Sequence, residues 1–285
     1  MAQINSDKIK TMFIECCEKG ALMVAKELLQ MDPSIEISSI QEAFRKACII
    51  GQFEVAKWLH KTYPKIDTHY NREYAFKHAC KNGNLETAKW LWQLDQNINI
   101  HSDDEYAFKW ACFDGHLETA KWLWELDQNI DIHSDDEYAF ICSCKGHFET
   151  AKWLLQLDQN INIHAQSERP FRAACSSGSL EIAKWLFRQN VDIHADNESA
   201  FRWACINGRL EVAKWLVTLD PNYHIEVEGD KIKSWFVKYD TTPIIELIKN
   251  GECDKAISKL KSIRINSSSY TNFTLIKDAE NAIKA

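Results

Sequence analysis

The chain has 285 residues, of which 45% are hydrophobic and 26% charged, an ordinary composition for a soluble folded protein. Its formal net charge of −7 argues against a nucleic-acid binder, because such proteins present a basic surface or stripe. No apolar run approaches the roughly 20 residues that a membrane span needs and none resembles a signal peptide, so we expect a protein of the cytoplasm or the nucleus, with no membrane contact.

Seven of the nine glycines recur at a nearly constant interval along the chain. The intervals between them are 31, 32, 32, 31, 32 and 30 residues. This period indicates one supersecondary unit copied along the chain, in which each copy packs only on its neighbours. We therefore expect an extended binding surface rather than an enclosed pocket. The glycines are Gly20, Gly51, Gly83, Gly115, Gly146, Gly178 and Gly208.

Residues 7–38 form a degenerate first repeat that we expect to be an N-terminal cap. Phe13, Cys17 and Gly20 keep the repeat pattern, but Glu27 stands where the later repeats have a tryptophan. A polar residue at that position suits a terminal repeat whose outer side faces water. Six full repeats then occupy residues 39–225, and their predicted bounds are 39–69, 70–101, 102–133, 134–164, 165–194 and 195–225.

Residues 102–133 show the pattern of one repeat. Ser102 and the acidic run after it predict the N-cap and first turn of a helix, and Gly115 predicts its end in a left-handed cap. A second helix follows, in which Glu118 and Lys121 form a supporting pair, and then a short extended loop. The buried stripe of the first helix is predicted at Ala107, Phe108, Ala111 and Cys112.

After residue 225 the repeat pattern lapses. Residues 226–242 are a charged interruption, and helix–glycine–helix spacing resumes over 243–264, with a last helix near 274–284. We therefore predict an irregular segment and a C-terminal helical cap within 226–285.

Six cysteines recur once per repeat, each beside a small residue. Stacked units lie roughly 8–10 Å apart, whereas a disulfide needs Cα atoms within about 7 Å, so these cysteines are predicted to be small core residues. Free thiols in this number fit a reducing compartment. They are Cys48, Cys80, Cys112, Cys144, Cys175 and Cys205.

Each repeat also supplies a histidine, which raises the question of a zinc site. Zinc ligands usually include a short Cys-x₂₋₄-Cys or His-x₃₋₅-His step, and the close pairs Cys16–Cys17 and Cys142–Cys144 lack that spacing. We therefore expect no metal and no cofactor, and loop histidines that hydrogen-bond to neighbouring backbone. They are His69, His101, His133, His164, His194 and His224.

An enzyme is not expected. A catalytic nucleophile would be one residue distinguished from its copies, with a base and an orienting group, yet each candidate here is repeated. The sequence contains no glycine-rich phosphate loop and no metalloprotease helix. We expect no small-molecule substrate.

The helix–glycine–helix–loop unit of 32 residues resembles the ankyrin repeat. The stretch GHLETAKWLWELDQNID at 115–131 keeps the length of the family's glycine–histidine–leucine second helix and its loop. The first helix departs from the family, because Tyr106–Lys109 replaces the usual threonine–proline–leucine–histidine opening. The phrases at 200–205 and 211–216 look like the ankyrin variant abundant in large DNA viruses of amoebae. The resemblance implies an all-α ankyrin-repeat solenoid of stacked helix-turn-helix units with short extended loops.

Eight of the eleven tryptophans fall in two groups. Six of them recur in phase on the second helices and are predicted to be core between repeats. Trp110 and Trp203 instead lie on first helices, at a position where the other repeats carry different residues. This variation favours a recognition surface. The alternative, that the two rings fill gaps between first helices, stays open. The in-phase group is Trp58, Trp90, Trp122, Trp153, Trp185 and Trp215.

In ankyrin proteins generally, partners bind the concave face formed by first helices and loop tips. Carried over to this sequence, that face predicts a basic row behind an acidic rim, with aromatic anchors beside it. The candidate contact residues on the helices are Lys77, Lys81, Lys109, Trp110, Phe113, Asp114, Arg172, Arg202, Trp203 and Ile206. Those of the loop tips are Asp103, Asp104, Asp135 and Asp136.

The resulting functional prediction is a monomeric, non-catalytic module that binds a partner protein. Two alternatives remain: an adaptor that recruits substrates to a ubiquitin ligase, as many viral ankyrin proteins do, and a structural component of a viral particle. Nucleic-acid binding through the basic row is opposed by the net charge.

Overall fold

The computed structural model describes residues 2–237, together with positions 246, 247, 250, 252 and 255. This part of the chain contains fourteen helices and one two-stranded sheet. The predicted cap over 243–264 and the helix near 274–284 lie outside the described residues. The chain divides into two compact units.

Unit 1 comprises residues 1–143 and 147–161 and consists of five helix pairs. In each pair a first helix is joined to a second helix by a short turn, and successive first helices pack on one another. The pairs are α1 Ala2–Glu18 and α2 Leu22–Met31, α3 Ile37–Ile50 and α4 Phe53–Thr62, α5 Tyr70–Lys81 and α6 Leu85–Leu94, α7 Ser102–Phe113 and α8 Leu117–Leu126, and α9 Ser134–Ser143 and α10 Phe148–Leu157.

Unit 2 comprises residues 144–146 and 162–285, and its described part has two helix pairs followed by a β-hairpin. The elements are α11 Ala165–Ser177 and α12 Leu180–Phe187, α13 Ala195–Ile206 and α14 Leu210–Leu219, and the antiparallel strands β1 Tyr223–Glu228 and β2 Lys231–Val237.

The hairpin corrects the expectation of an irregular segment after residue 225. Its two-residue loop, Gly229-Asp230, is a turn sequence typical of hairpins, and the surrounding charges obscure it in the sequence. The hairpin also packs on α13. The Tyr223 ring stacks on the Phe201 ring with centroids 4.2 Å apart, and the Trp235 ring contacts the same ring edge-on at 6.0 Å.

The predicted core stripe of the first helices is confirmed. Ala107, Phe108, Ala111 and Cys112 are all 1% exposed or less, and the equivalent phenylalanine of every other repeat is equally buried. The six periodic cysteines are buried as well, and the described cysteines form no disulfide. Burial raises the pKa of the Cys48, Cys80 and Cys112 thiols, which keeps them protonated.

The acidic run that opens α7 does not form the N-cap expected from the sequence. Asp103, Asp104 and Glu105 have φ of 54°, 58° and 58°, so they make one left-handed turn, and the right-handed part of α7 begins only after it. A left-handed residue other than glycine costs roughly 1–2 kcal/mol, so other contacts must hold the turn. The same turn recurs at 71–73, 135–137, 166–168 and 196–198.

The periodic glycines do more than end a helix. Gly115 has φ of +75°, as a left-handed cap requires, but a Cβ on it would also lie 2.0 Å from Nδ1 of His147 in the next repeat. The absence of a side chain therefore lets successive repeats approach closely. Gly83 has the same relation to His116, at 2.4 Å.

The in-phase tryptophans make the predicted contacts between repeats, although they are half-buried rather than enclosed. Trp122 of α8 packs on Phe76 of the preceding repeat with ring centroids 6.1 Å apart, and Trp153 packs on Phe108 at the same distance. In these two cases the second helix packs against the first helix of the repeat before it.

Candidate partner-binding surface

A continuous line of ring side chains crosses the first helices of unit 1. We call it the aromatic row: Tyr74 and His78 of α5, Tyr106, Trp110 and Phe113 of α7, and Tyr138 of α9. Neighbouring ring centroids lie between 4.1 and 6.2 Å apart along it. All six side chains are half-buried, so each presents one side to solvent.

Two cations border the aromatic row. Nζ of Lys81 lies 4.0 Å from the centroid of Trp110, and the guanidinium of Arg45 lies 5.0 Å from that of Tyr74. Contacts of this kind contribute about 0.5–1 kcal/mol at exposed sites. Lys81 is therefore held against an aromatic face at the surface.

His78 is the one imidazole inside the row. Desolvation, and then the positive charges of Lys81, Lys77 and Arg45, lower the pKa of His78 to about 4. The imidazole is therefore neutral at pH 7, and the row presents a largely apolar strip whose fixed charge comes from Lys81 and Arg45.

Two predicted contact residues of unit 1, Lys77 and Lys109, are not surface residues. Each is only 5% exposed. Nζ of Lys77 donates to Asp103, and Nζ of Lys109 donates to Asp135 and, at 2.8 Å, to Asp104. These lysines therefore tie the left-handed turns to the helices, and the hydrogen bonds lower the pKa of Asp103 and Asp104.

The predicted free basic row behind an acidic rim is corrected accordingly. The sequence places lysines and aspartates on neighbouring positions, but it does not show that the lysine stems pass through the core to reach the turns. Asp103, Asp104 and Asp135 are largely used in these internal pairs. Asp136 is exposed on the same turn as Asp135, and Asp114 is half-buried at the end of α7.

In unit 2 the candidate residues divide in the same way. Arg172 pairs with Asp196 and donates to the backbone oxygen of Gln166 at 2.8 Å, while Arg202 donates to the backbone oxygen of Asn197 at 3.3 Å. Trp203 and Ile206, by contrast, are 47% and 54% exposed on one side of α13. This apolar pair is the accessible part of the predicted surface in unit 2.

A histidine clasp that the sequence did not reveal stabilises the loops. Nδ1 of His133 lies 2.9 Å from Glu137 across the left-handed turn, and Nε2 lies 3.2 Å from Asp158 of the next loop. The expected backbone partners were wrong, because the partners are carboxylates. The His-x₃-Glu spacing in each repeat was the available signal. The other full clasps of unit 1 are His69 with Glu73 and Asp95, and His101 with Glu105 and Asp127.

The clasp changes the charge of its members. Hydrogen bonds to Asp95 and Glu73 raise the pKa of His69 to about 9, and the pKa of His133 is raised by Glu137 and Asp158. The hydrogen bond from His69 lowers the pKa of Asp95, and hydrogen bonds from the Asn160 backbone N–H and from His133 lower the pKa of Asp158. His69 is therefore cationic at neutral pH and acts as an ion-pair partner inside its loop.

Within the described ranges, no group of three or more histidine, cysteine, aspartate or glutamate side chains is arranged to hold a metal ion. None of the helices in that part of the chain has the length and apolar character needed to cross a membrane. What the site residues share is exposed ring surface with flanking cations, which suits non-covalent recognition.

The repeats match a family model described as ankyrin repeats (three copies), at residues 44–136, 76–167 and 139–228. The fold is similar to the crystal structure of the human ASB11 ankyrin repeat domain, with a TM-score of 0.51 and 19% sequence identity over 73% of this chain and 97% of that chain. No curated protein sequence matches the chain. Since the family model covers well over half of its residues, the chain belongs to the ankyrin repeat family.

Proposed function

We propose that this protein is a non-catalytic interaction module that holds a partner protein on its first-helix face. Ankyrin repeats are generally protein–protein interaction modules. The observation that supports this particular face is the aromatic row, in which Trp110 is sandwiched among ring neighbours and carries Lys81 at 4.0 Å.

The chemistry of the row fits an interface centre. Tryptophan, tyrosine and arginine are enriched among the residues that dominate binding energy. Their packing on one another fixes the rings before a partner arrives, so little side-chain entropy is lost on binding. Lys81 and Arg45 at the border favour a partner with acidic groups around an apolar centre.

Unit 2 supplies a second contact by itself. Trp203 and Ile206 lie three residues apart on α13, a spacing that puts two side chains on the same side of a helix. Exposed large apolar side chains in such a pair are candidates for an anchor, and the polar neighbours Arg202 and Asn207 border them.

The cellular setting is part of the proposal. The resemblance of the repeat phrases to ankyrin proteins of large DNA viruses of amoebae supports a viral protein that acts, as a monomer, on a partner in the host cytoplasm or nucleus. The buried cysteines of the described repeats, which are not in disulfides, support a reducing compartment.

Affinity capture from eukaryotic lysate, read by mass spectrometry, tests the proposal. The wild-type chain is compared with Trp110→Ala/Phe113→Ala/Trp203→Ala, and with the control Trp92→Ala/Trp124→Ala, which removes half-buried tryptophans from second helices. Circular dichroism first establishes that both variants are folded. A partner kept by wild type and control but lost by the first-helix variant supports the proposal.

Two other results would change the proposed function. Equal retention by all three proteins would contradict a first-helix site. A captured cullin–adaptor complex would instead support the ubiquitin-ligase adaptor, since that role requires such a complex.

A further inference from the structure

A second, separate surface lies on the second-helix side of unit 1. There α2, α4 and α6 surround an open pocket of about 480 Å³. Its wall carries the ammonium groups of Lys26, Lys57 and Lys61, and its apolar part is formed by Trp58, Trp90 and Leu94. None of these residues belongs to the aromatic row or to the first-helix face.

The apolar part of the pocket is rigid. The Trp90 ring is held edge-on by Phe53 and by His60, each with its centroid 5.8 Å away, and it contacts Phe44 at 6.3 Å. Leu94 is 39% exposed beside it. A fixed ring with an exposed leucine next to it can receive an aliphatic side chain without rearrangement.

One lysine of the pocket, Lys57, lacks the ion pair that its counterparts in α8, α10 and α14 make. Lys121 donates to Glu118 at 3.0 Å, and the corresponding pairs in α10 and α14 have lengths of 2.9 and 3.1 Å. Glu54 and Lys57 occupy the same two positions in α4, yet Nζ of Lys57 lies instead 4.7 Å from the Phe53 ring.

The positive charge of the pocket is therefore available. Among the residues that the structure describes, Lys26, Lys57 and Lys61 have no carboxylate within ion-pair distance. Lys26 lies 5.9 Å from the Trp58 ring, a cation–π distance. Three ammonium groups face one carboxylate, that of Glu54, within a chain whose net charge is −7. Such a local excess attracts an anionic segment but not a long polyanion, which the rest of the chain repels.

We propose that this pocket binds an acidic peptide segment of a partner protein, with one aliphatic side chain against Trp58, Trp90 and Leu94 and its carboxylates on Lys57 and Lys61. The ring surface accounts for the aliphatic residue, and the unpaired ammonium groups account for the acidic ones. The site is independent of the first-helix face and would persist if that proposal failed.

Fluorescence anisotropy of the full chain with a fluorescein-labelled Glu-Glu-Leu-Glu-Glu peptide tests the site. Lys57→Gln/Lys61→Gln is expected to weaken binding at least tenfold. The matched control, Lys121→Gln/Lys152→Gln, removes the same charge from two second helices outside the pocket, where exposed pairs contribute little, and is expected to stay within twofold of wild type. Replacement of the peptide's leucine by glycine is expected to weaken binding without changing its dependence on salt.

Three results would overturn the proposal. One is the absence of saturable binding of this peptide up to millimolar protein. Another is an equal loss of peptide affinity in the pocket variant and in the control variant, because the net charge of the chain would then explain the effect. The third is tighter binding of a single-stranded oligonucleotide that Lys57→Gln/Lys61→Gln abolishes, since the ligand would then be nucleic acid.

Discussion

Nζ of Lys109 donates to the carboxylate of Asp135 across the boundary between two repeats, although the lysine is only 5% exposed. Asp104 of its own repeat accepts a second bond at 2.8 Å, and Ser134 a third at 3.3 Å. A buried ammonium thus closes two left-handed turns at once.

We therefore expect that removing the carboxylates and removing the ammonium group will lower the free energy of unfolding by different amounts. Asp104→Ala/Asp135→Ala leaves a buried charge without a counter-ion and is expected to lower the free energy of unfolding by about 3 kcal/mol. Lys109→Met keeps the volume and leaves two carboxylates that water can reach, so we expect a loss of about 1 kcal/mol. Urea unfolding followed by circular dichroism measures both. Equal losses would show that the ammonium is not the costly group.

The periodic glycines differ in what surrounds them, so we expect two glycine-to-alanine substitutions with the same backbone strain to destabilise the protein by different amounts. Gly115 and Gly208 have φ of +75° and +66°, but a Cβ meets His147 only at Gly115, whereas nothing lies within 4 Å at Gly208. Gly208→Ala is expected to cost about 1 kcal/mol, and Gly115→Ala at least twice that. Combining Gly115→Ala with His147→Ala should recover the difference in urea unfolding. A double variant no better than Gly115→Ala would refute the role of close approach.

The sequence could predict those features that depend on local pattern. The stripe through Phe108 and the glycine caps follow from helical spacing and backbone conformation, and both are confirmed. The burial of Lys109 could not be predicted, because a lysine beside aspartates is ordinarily a solvated residue and only the stacking of repeats covers its stem. The left-handed turn was hidden for a related reason: Asp103 and Asp104 are typical of a helix N-terminus, and the contacts that reverse their handedness come from elsewhere.

The histidine clasps predict how stability depends on pH. The folded pKa of His69 is raised from 6.5 to about 9, so its contribution is complete below pH 6.5 and is lost as the pH rises through 9. The pKa of Asp95 is lowered from 3.8, so its contribution is present above that pH and is lost on acidification. Thermal melts from pH 4 to 9.5 should show the wild-type advantage over His69→Gln largest between about pH 4 and 6.5. An advantage that does not change between pH 6.5 and 9.5 would contradict the clasp.

The hairpin covers the buried ring of α13, which leads to a prediction about stability. In unit 1 a tryptophan of the next second helix packs on the buried phenylalanine of a first helix, as Trp122 does on Phe76 and Trp153 does on Phe108. On Phe201 the rings of Tyr223 and Trp235 take that place, and the fully buried Tyr223 also donates from its hydroxyl to Glu198.

Tyr223→Ala is therefore expected to lower the free energy of unfolding by about 3–5 kcal/mol, the range for deleting a buried aromatic ring. Tyr223→Phe keeps the stack on Phe201 and loses one hydrogen bond to a charged group, for which we expect about 1.5–3 kcal/mol. Hydrogen exchange of the α13 and α14 amides, measured together with urea unfolding, shows whether the hairpin stabilises these two helices. If Tyr223→Ala left the protection of these helices unchanged, the hairpin would not be what holds α13 and α14 in place, because an exposed Phe201 should let this helix pair open first.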